Sequence, residues 1–101
     1  MKPVILPGEQ ITFFLKGKNS DKVNAYPVVA TVLTVYRGAI VVADHRSQNG
    51  LAKIISDSNS AREWAYWYEY IDSSPFRNFL NVIELKKITG EQIKVVSFIE
   101  D

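Results

Sequence analysis

Between Pro27 and Asp44 the chain carries two apolar runs, Val28 to Tyr36 and Ala39 to Asp44, built largely from valine, isoleucine and threonine. β-Branched side chains lose rotamer freedom in a helix and pack well on a pleated surface, so both runs read as strands. Gly38 between them allows the tight turn of a hairpin. Each run is nearly continuous in apolar character, so both faces of the hairpin are expected to be covered and its strands to be central.

Other segments repeat the strand signal. Ile11, Phe13 and Leu15 recur at period two after the Pro7-Gly8 turn, which predicts a strand over 11–16. Gly17 to Asn24 is polar and turn-forming, an exposed connection. Asn49-Gly50 favours a tight hairpin leading into Leu51 to Ser56. A two-residue register would set Arg46 opposite Lys53, a like-charge pair that costs stability, so a longer loop is the alternative. Near the C-terminus, Val82 to Ile88 and Gln92 to Ile99 flank Thr89-Gly90-Glu91 and predict a closing hairpin.

Residues 57–72 satisfy two periods at once. Ser60 and Glu63 make a capping box, and Trp64, Trp67, Tyr68 and Ile71 then share one helical face. The same stretch read as a strand would line Trp64, Tyr66, Tyr68 and Tyr70 on one side. The helical reading is the expectation here, followed by a second helix start at Ser74-Pro75 that buries Phe76, Phe79 and Leu80. The expected fold is therefore mainly β, with an α+β variant open: a small SH3-like or OB-like barrel of five to six strands, with one or two short helices near residues 61–80.

A chain of 101 residues with 47% hydrophobic residues supports one core, so residues 1–101 are expected to form a single domain. There is no cysteine, which removes disulfides, zinc–thiolate sites and cysteine nucleophiles. The run Val4-Ile5-Leu6 between two prolines is far shorter than a signal-peptide core, and no later run approaches the ~18 residues of a membrane span. The expected location is cytoplasmic, with no membrane partner. Net charge is +1, but it is unevenly placed: through Lys53 basic residues outnumber acidic ones seven to three, and beyond it acidic ones lead eight to five. Such a dipolar domain presents a weakly basic face to nucleic acid or to an acidic protein.

Catalytic patterns do not assemble. His45 is the sole histidine, and its neighbours Asp44 and Arg46 point to the opposite strand face, so adjacency makes no triad. No two glycines form a phosphate-binding loop, and no carboxylate or histidine spacing suits a metal. The expectation is a protein that is not an enzyme and needs no cofactor or metal. Five aromatic residues fall within Trp64 to Tyr70, and they cannot all point inward. Tyr66 and Tyr70 lie off the helical face and are expected to stay exposed, where tyrosine serves as an interface anchor or as a stacking platform for bases.

The stretch His45 to Ile55, with Asn49-Gly50 and its basic flanks, resembles a hairpin of primosomal replication protein B, an OB-fold binder of single-stranded DNA. Pro7-Gly8-Glu9, Tyr26-Pro27-Val28-Val29 and the strand Ile40 to Ala43 are similar in layout to MazF-type ribonuclease toxins, which are SH3-like barrels. That family carries arginine where Tyr26 stands, and Ser47 stands in for its hydroxyl residue, so the resemblance implies the barrel without carrying the chemistry. The first expectation is a non-catalytic nucleic-acid-binding module, with Arg37, Arg46 and Lys53 on the backbone and Tyr66 or Tyr70 stacking. The alternative is a protein-interaction module that regulates or inhibits its partner. A MazF-like ribonuclease toxin comes third.

Overall fold

The computed structural model describes residues 2–17, 23, 26–46, 50–56, 66–71 and 80–100. They form eight strands: β1 (Lys2–Pro3), β2 (Gln10–Gly17), β3 (Val28–Val35), β4 (Ala39–Asp44), β5 (Leu51–Ser56), β6 (Tyr66–Tyr70), β7 (Leu80–Lys87) and β8 (Ile99–Glu100). Strands β2 to β7 close into a barrel in sequence order, each antiparallel to the next, with β7 returning to β2. This is a small, mainly-β barrel of six strands, and no helix occurs among the described residues. Its connectivity is up-and-down rather than the Greek key of an OB barrel. Closure satisfies the hydrogen-bonding edges that an open sheet of this size would expose.

The interior is filled by alternate residues of each strand, as a pleated strand requires. Ile11, Phe13 and Leu15 come from β2, Val28, Ala30 and Val32 from β3, Ile40 and Val42 from β4, Ala52 and Ile54 from β5, and Tyr66 and Tyr68 from β6. Two irregularities change that alternation. In β3 the pairing with β4 shifts between Val32 and Thr34, so that Val35, opposite the buried Ile40, takes the inward position that regular alternation would give Thr34. In β7 the pairing with β2 shifts between Thr12 and Phe14, so that Glu84 and Leu85 together face one residue and Leu85 turns into the core.

Glu84 pays for that shift with a φ of 56°, a left-handed conformation that glycine adopts freely and glutamate does not. Glu84→Gly is expected to raise the urea midpoint, by about 0.5–1 kcal/mol in stability, and a lowered midpoint would contradict the bulge.

Four expectations are corrected. Residues 66–70 are strand, because pairing with β5 on one side and β7 on the other satisfies their backbone. Trp67 and Ile71 consequently do not share a buried face: Trp67 is half-buried on the outer wall and Ile71 is exposed. Trp64 and the starts at Ser60 and Ser74 lie outside the described residues. Second, β3 and β4 are covered on one face only, since a barrel has one interior, and outer residues such as Val29 and Val41 are half-buried. Third, the β4–β5 connection is the longer loop, with Ala43 opposite Leu51 and the Asp44 amide bonded to the Gly50 carbonyl at 2.7 Å.

Fourth, the C-terminal hairpin is cut short. Both edges of β7 are committed to β2 and β6, and only the part beyond the reach of β6 pairs onward, through Lys86 with Gln92 and the Ile93 amide to the Leu85 carbonyl at 3.0 Å. The chain then crosses one end of the barrel, and β8 pairs with β1 instead. Ile5, Ile93 and Phe98 from these terminal segments are fully or almost fully buried in the core cluster. They plug that end, where the Phe98 amide bonds the Arg37 carbonyl at 2.9 Å and its ring sits 5.2 Å from Tyr66.

Candidate functional site

The opposite end of the barrel is defined by the strand termini Gly17, Val28, Asp44, Leu51, Tyr70 and Leu80. Asp44 occupies the inward position that follows Ile40 and Val42, and its side chain is 2% exposed. A carboxylate so placed requires partners for its lone pairs. The chain supplies them through a turn at His45 and Arg46: the Arg46 amide donates to Oδ1 at 2.9 Å, the local bond that aspartate favours two residues on. The guanidinium folds back over the same carboxylate, with Nε 3.1 Å from both oxygens and Nη2 2.6 Å from Oδ2. Tyr68 reaches up from the interior of β6 and donates its hydroxyl to Oδ2 at 2.7 Å.

Tyr70, the next inward residue of β6, extends this network to the surface. Arg46 Nη2 donates to its hydroxyl at 2.9 Å, and its ring meets Tyr68 edge-on at 5.0 Å and 86°. Burial by itself would raise the Asp44 pKa, but the hydrogen bonds from Arg46 and Tyr68, together with the guanidinium charge, hold it below the usual carboxylate value. Arg46 is held protonated chiefly by its bond to Asp44. Burial, and then the Asp44 carboxylate, push the Tyr68 phenol far up. At the plugged end burial raises Tyr66 to about 12, and its hydroxyl donates to the Val95 carbonyl.

Two of the five sequence-predicted residues therefore meet. Arg46 and Tyr70 lie together at the Asp44 end, with the Arg46 side chain 44% and Tyr70 37% exposed. Lys53 stands on the outer wall of β5, opposite Val41 and Glu69. Arg37 lies at the β3–β4 turn of the plugged end, where its carbonyl also accepts from Ser97 Oγ at 2.9 Å. Tyr66 is corrected from exposed to buried, at 3% exposure, because strand alternation turns it inward beneath Phe98. His45 is exposed on the outer side, with Nε2 2.7 Å from Thr31 Oγ1. Ser47 lies outside the described residues.

Sequence reasoning missed three residues that bear on the site. Asp44 and Tyr68 hold Arg46 in place, and the parity of Ile40, Val42 and Asp44 was a usable sign that the carboxylate points inward. Tyr26, just ahead of β3 at the same end, is 83% exposed. Among the described residues no group of three histidine, cysteine or acidic side chains could hold a metal ion, and no helix is long and apolar enough to cross a membrane. Comparison with protein-family models, curated proteins and solved structures found no match.

Proposed function

We propose that the protein is a non-catalytic module, working in the cytoplasm, that binds nucleic acid at the Asp44 end of the barrel through Arg46 and Tyr70. The observation that carries this reading is the 2.9 Å contact between those two partly exposed side chains, which joins a guanidinium and an aromatic ring on one rim. Arginine and tyrosine are the residue types that pair stacking with hydrogen bonding on nucleic acids. The very exposed Tyr26 adds a second ring to the same end. Absence of cysteine supports a reducing compartment.

A second reading, a protein-interaction module, draws on the plugged end. Two largely apolar grooves of about 440 and 390 Å³ meet there at Ile99, the first reaching Val96 and Arg37 and the second Leu33 and Pro7. An apolar centre with a polar rim is the anatomy of a protein interface.

Because the two surfaces lie at opposite ends, single substitutions separate the readings. Titration of a labelled single-stranded oligonucleotide of roughly 16 nucleotides should saturate, and Tyr70→Ala should weaken it by about 5- to 150-fold, while Val96→Asp leaves it unchanged. Loss with Val96→Asp and not with Tyr70→Ala would move the nucleic-acid contact to the plugged end and overturn its assignment to Arg46 and Tyr70. No saturable binding to DNA or RNA at low salt would overturn the first.

A further inference from the structure

Resting on that reading, we propose that the Asp44 end recognises an unpaired nucleobase rather than a phosphate: the Arg46 guanidinium, held flat by Asp44, and the Tyr70 ring form one stacking subsite for a base of single-stranded DNA or RNA. An arginine that serves the nucleic-acid backbone needs uncompensated charge and freedom to follow the phosphates. Arg46 has neither. Its Nε and Nη2 engage both oxygens of Asp44, and the carboxylate is itself fixed by the Tyr68 hydroxyl and the Arg46 amide. The ion pair is close to neutral as a unit, and its buried carboxylate opposes any phosphate brought up to it.

What remains attractive in such a group is its plane. Guanidinium planes and phenol rings both stack on bases whatever the base identity, and stacking needs neither net charge nor a mobile side chain. Tyr70 is equally constrained, by its bond from Arg46 and by the edge-on contact with Tyr68. Two flat groups, fixed against each other before any ligand arrives, lose little conformational freedom on binding. Bases in a duplex are stacked on their neighbours and cannot offer a face, so the ligand class is the single strand.

The test compares three labelled probes of equal length: a single-stranded oligothymidylate, the same phosphodiester chain with abasic sites throughout, and a duplex. The wild-type protein should bind the base-bearing strand at least about tenfold tighter than either of the others. Between about 50 and 200 mM salt its log affinity should fall with a slope no steeper than about −0.7, the value for a single phosphate contact on a single strand. Tyr70→Ala should abolish the preference over the abasic chain. Asp44→Asn should release the Arg46 charge, steepening the slope by about 0.7 and raising affinity for the abasic chain, a change that mere loosening of the fold would not produce.

Equal binding of the abasic and base-bearing strands by the wild-type protein, or a slope of several phosphates, would overturn the subsite while leaving nucleic-acid binding intact. Failure of all three probes to bind would overturn both. Because the decisive comparison uses the wild-type chain, it holds even if Asp44→Asn does not fold.

Discussion

Phe98→Ala is expected to cost about 3–5 kcal/mol of folding stability in urea denaturation, the range for truncating a fully buried phenylalanine. The residue lies outside the six barrel strands, near the C-terminus, yet none of its surface is exposed. It closes the end of the core that Tyr66, Ile5 and Ile93 share. Removing the ring opens a cavity bounded by the rigid Tyr66 and by the β3–β4 turn, to which the Phe98 amide is bonded, so the neighbourhood cannot collapse to fill it. Val96→Ala, two residues away at an exposed position, should change stability by less than about 0.5 kcal/mol. A loss below about 1 kcal/mol for Phe98→Ala would mean that the terminal segments lie on the barrel without completing its core.

The second large effect is at the other end. Asp44→Ala strips the acceptor from the Tyr68 hydroxyl and from the Arg46 guanidinium and amide at once. Breaking a buried ion pair costs about 3–5 kcal/mol, but the Arg46 side chain is 44% exposed and water compensates part of its loss, so about 2–3 kcal/mol is expected. The pH dependence has a definite sign. The folded Asp44 pKa is depressed, so its contribution is complete above the unfolded value of about 4 and fades as pH falls through the lower folded value. Asp44→Asn should therefore show a shallower loss of stability below about pH 4 than the wild-type chain. Parallel acid-unfolding curves for the two proteins would remove Asp44 from this role.

Much of the barrel was legible because one buried face per strand writes itself as alternation. Ile11, Phe13 and Leu15 announce β2, and the β-branched runs around Gly38 announce the β3–β4 hairpin. The stretch 66–70 was misread because Trp67 and Tyr68 fit a helical face as well as Tyr66 and Tyr68 fit a strand face. What decides is pairing with β5 and β7, and no local pattern contains that pairing. The bulges at Leu33 and Glu84 likewise arise from register with a neighbouring strand. So does the fate of the C-terminal segment, which could form no full hairpin with β7 once β2 and β6 had taken its edges.

For the site, residue types were legible and their meeting was not. Arg46 and Tyr70 each had the right chemistry, but the contact between them spans 24 positions and depends on the turn after Asp44 bending inward. The basic residues spread over the first half of the sequence suggested one face. Barrel geometry instead sends Arg37 and Arg46 to opposite ends of the strand pair β3–β4 and leaves Lys53 on the wall between them.

Backbone amide NMR spectra recorded during titration with single-stranded oligothymidylate locate the contact without altering the protein. If the Asp44 end holds the strand, the shifts concentrate at Arg46, Leu51, Tyr70 and Ile71 and the plugged end from Val95 to Glu100 stays unmoved; shifts confined to Arg37 and Val95 to Glu100, or none anywhere at saturating oligonucleotide, would show that it does not.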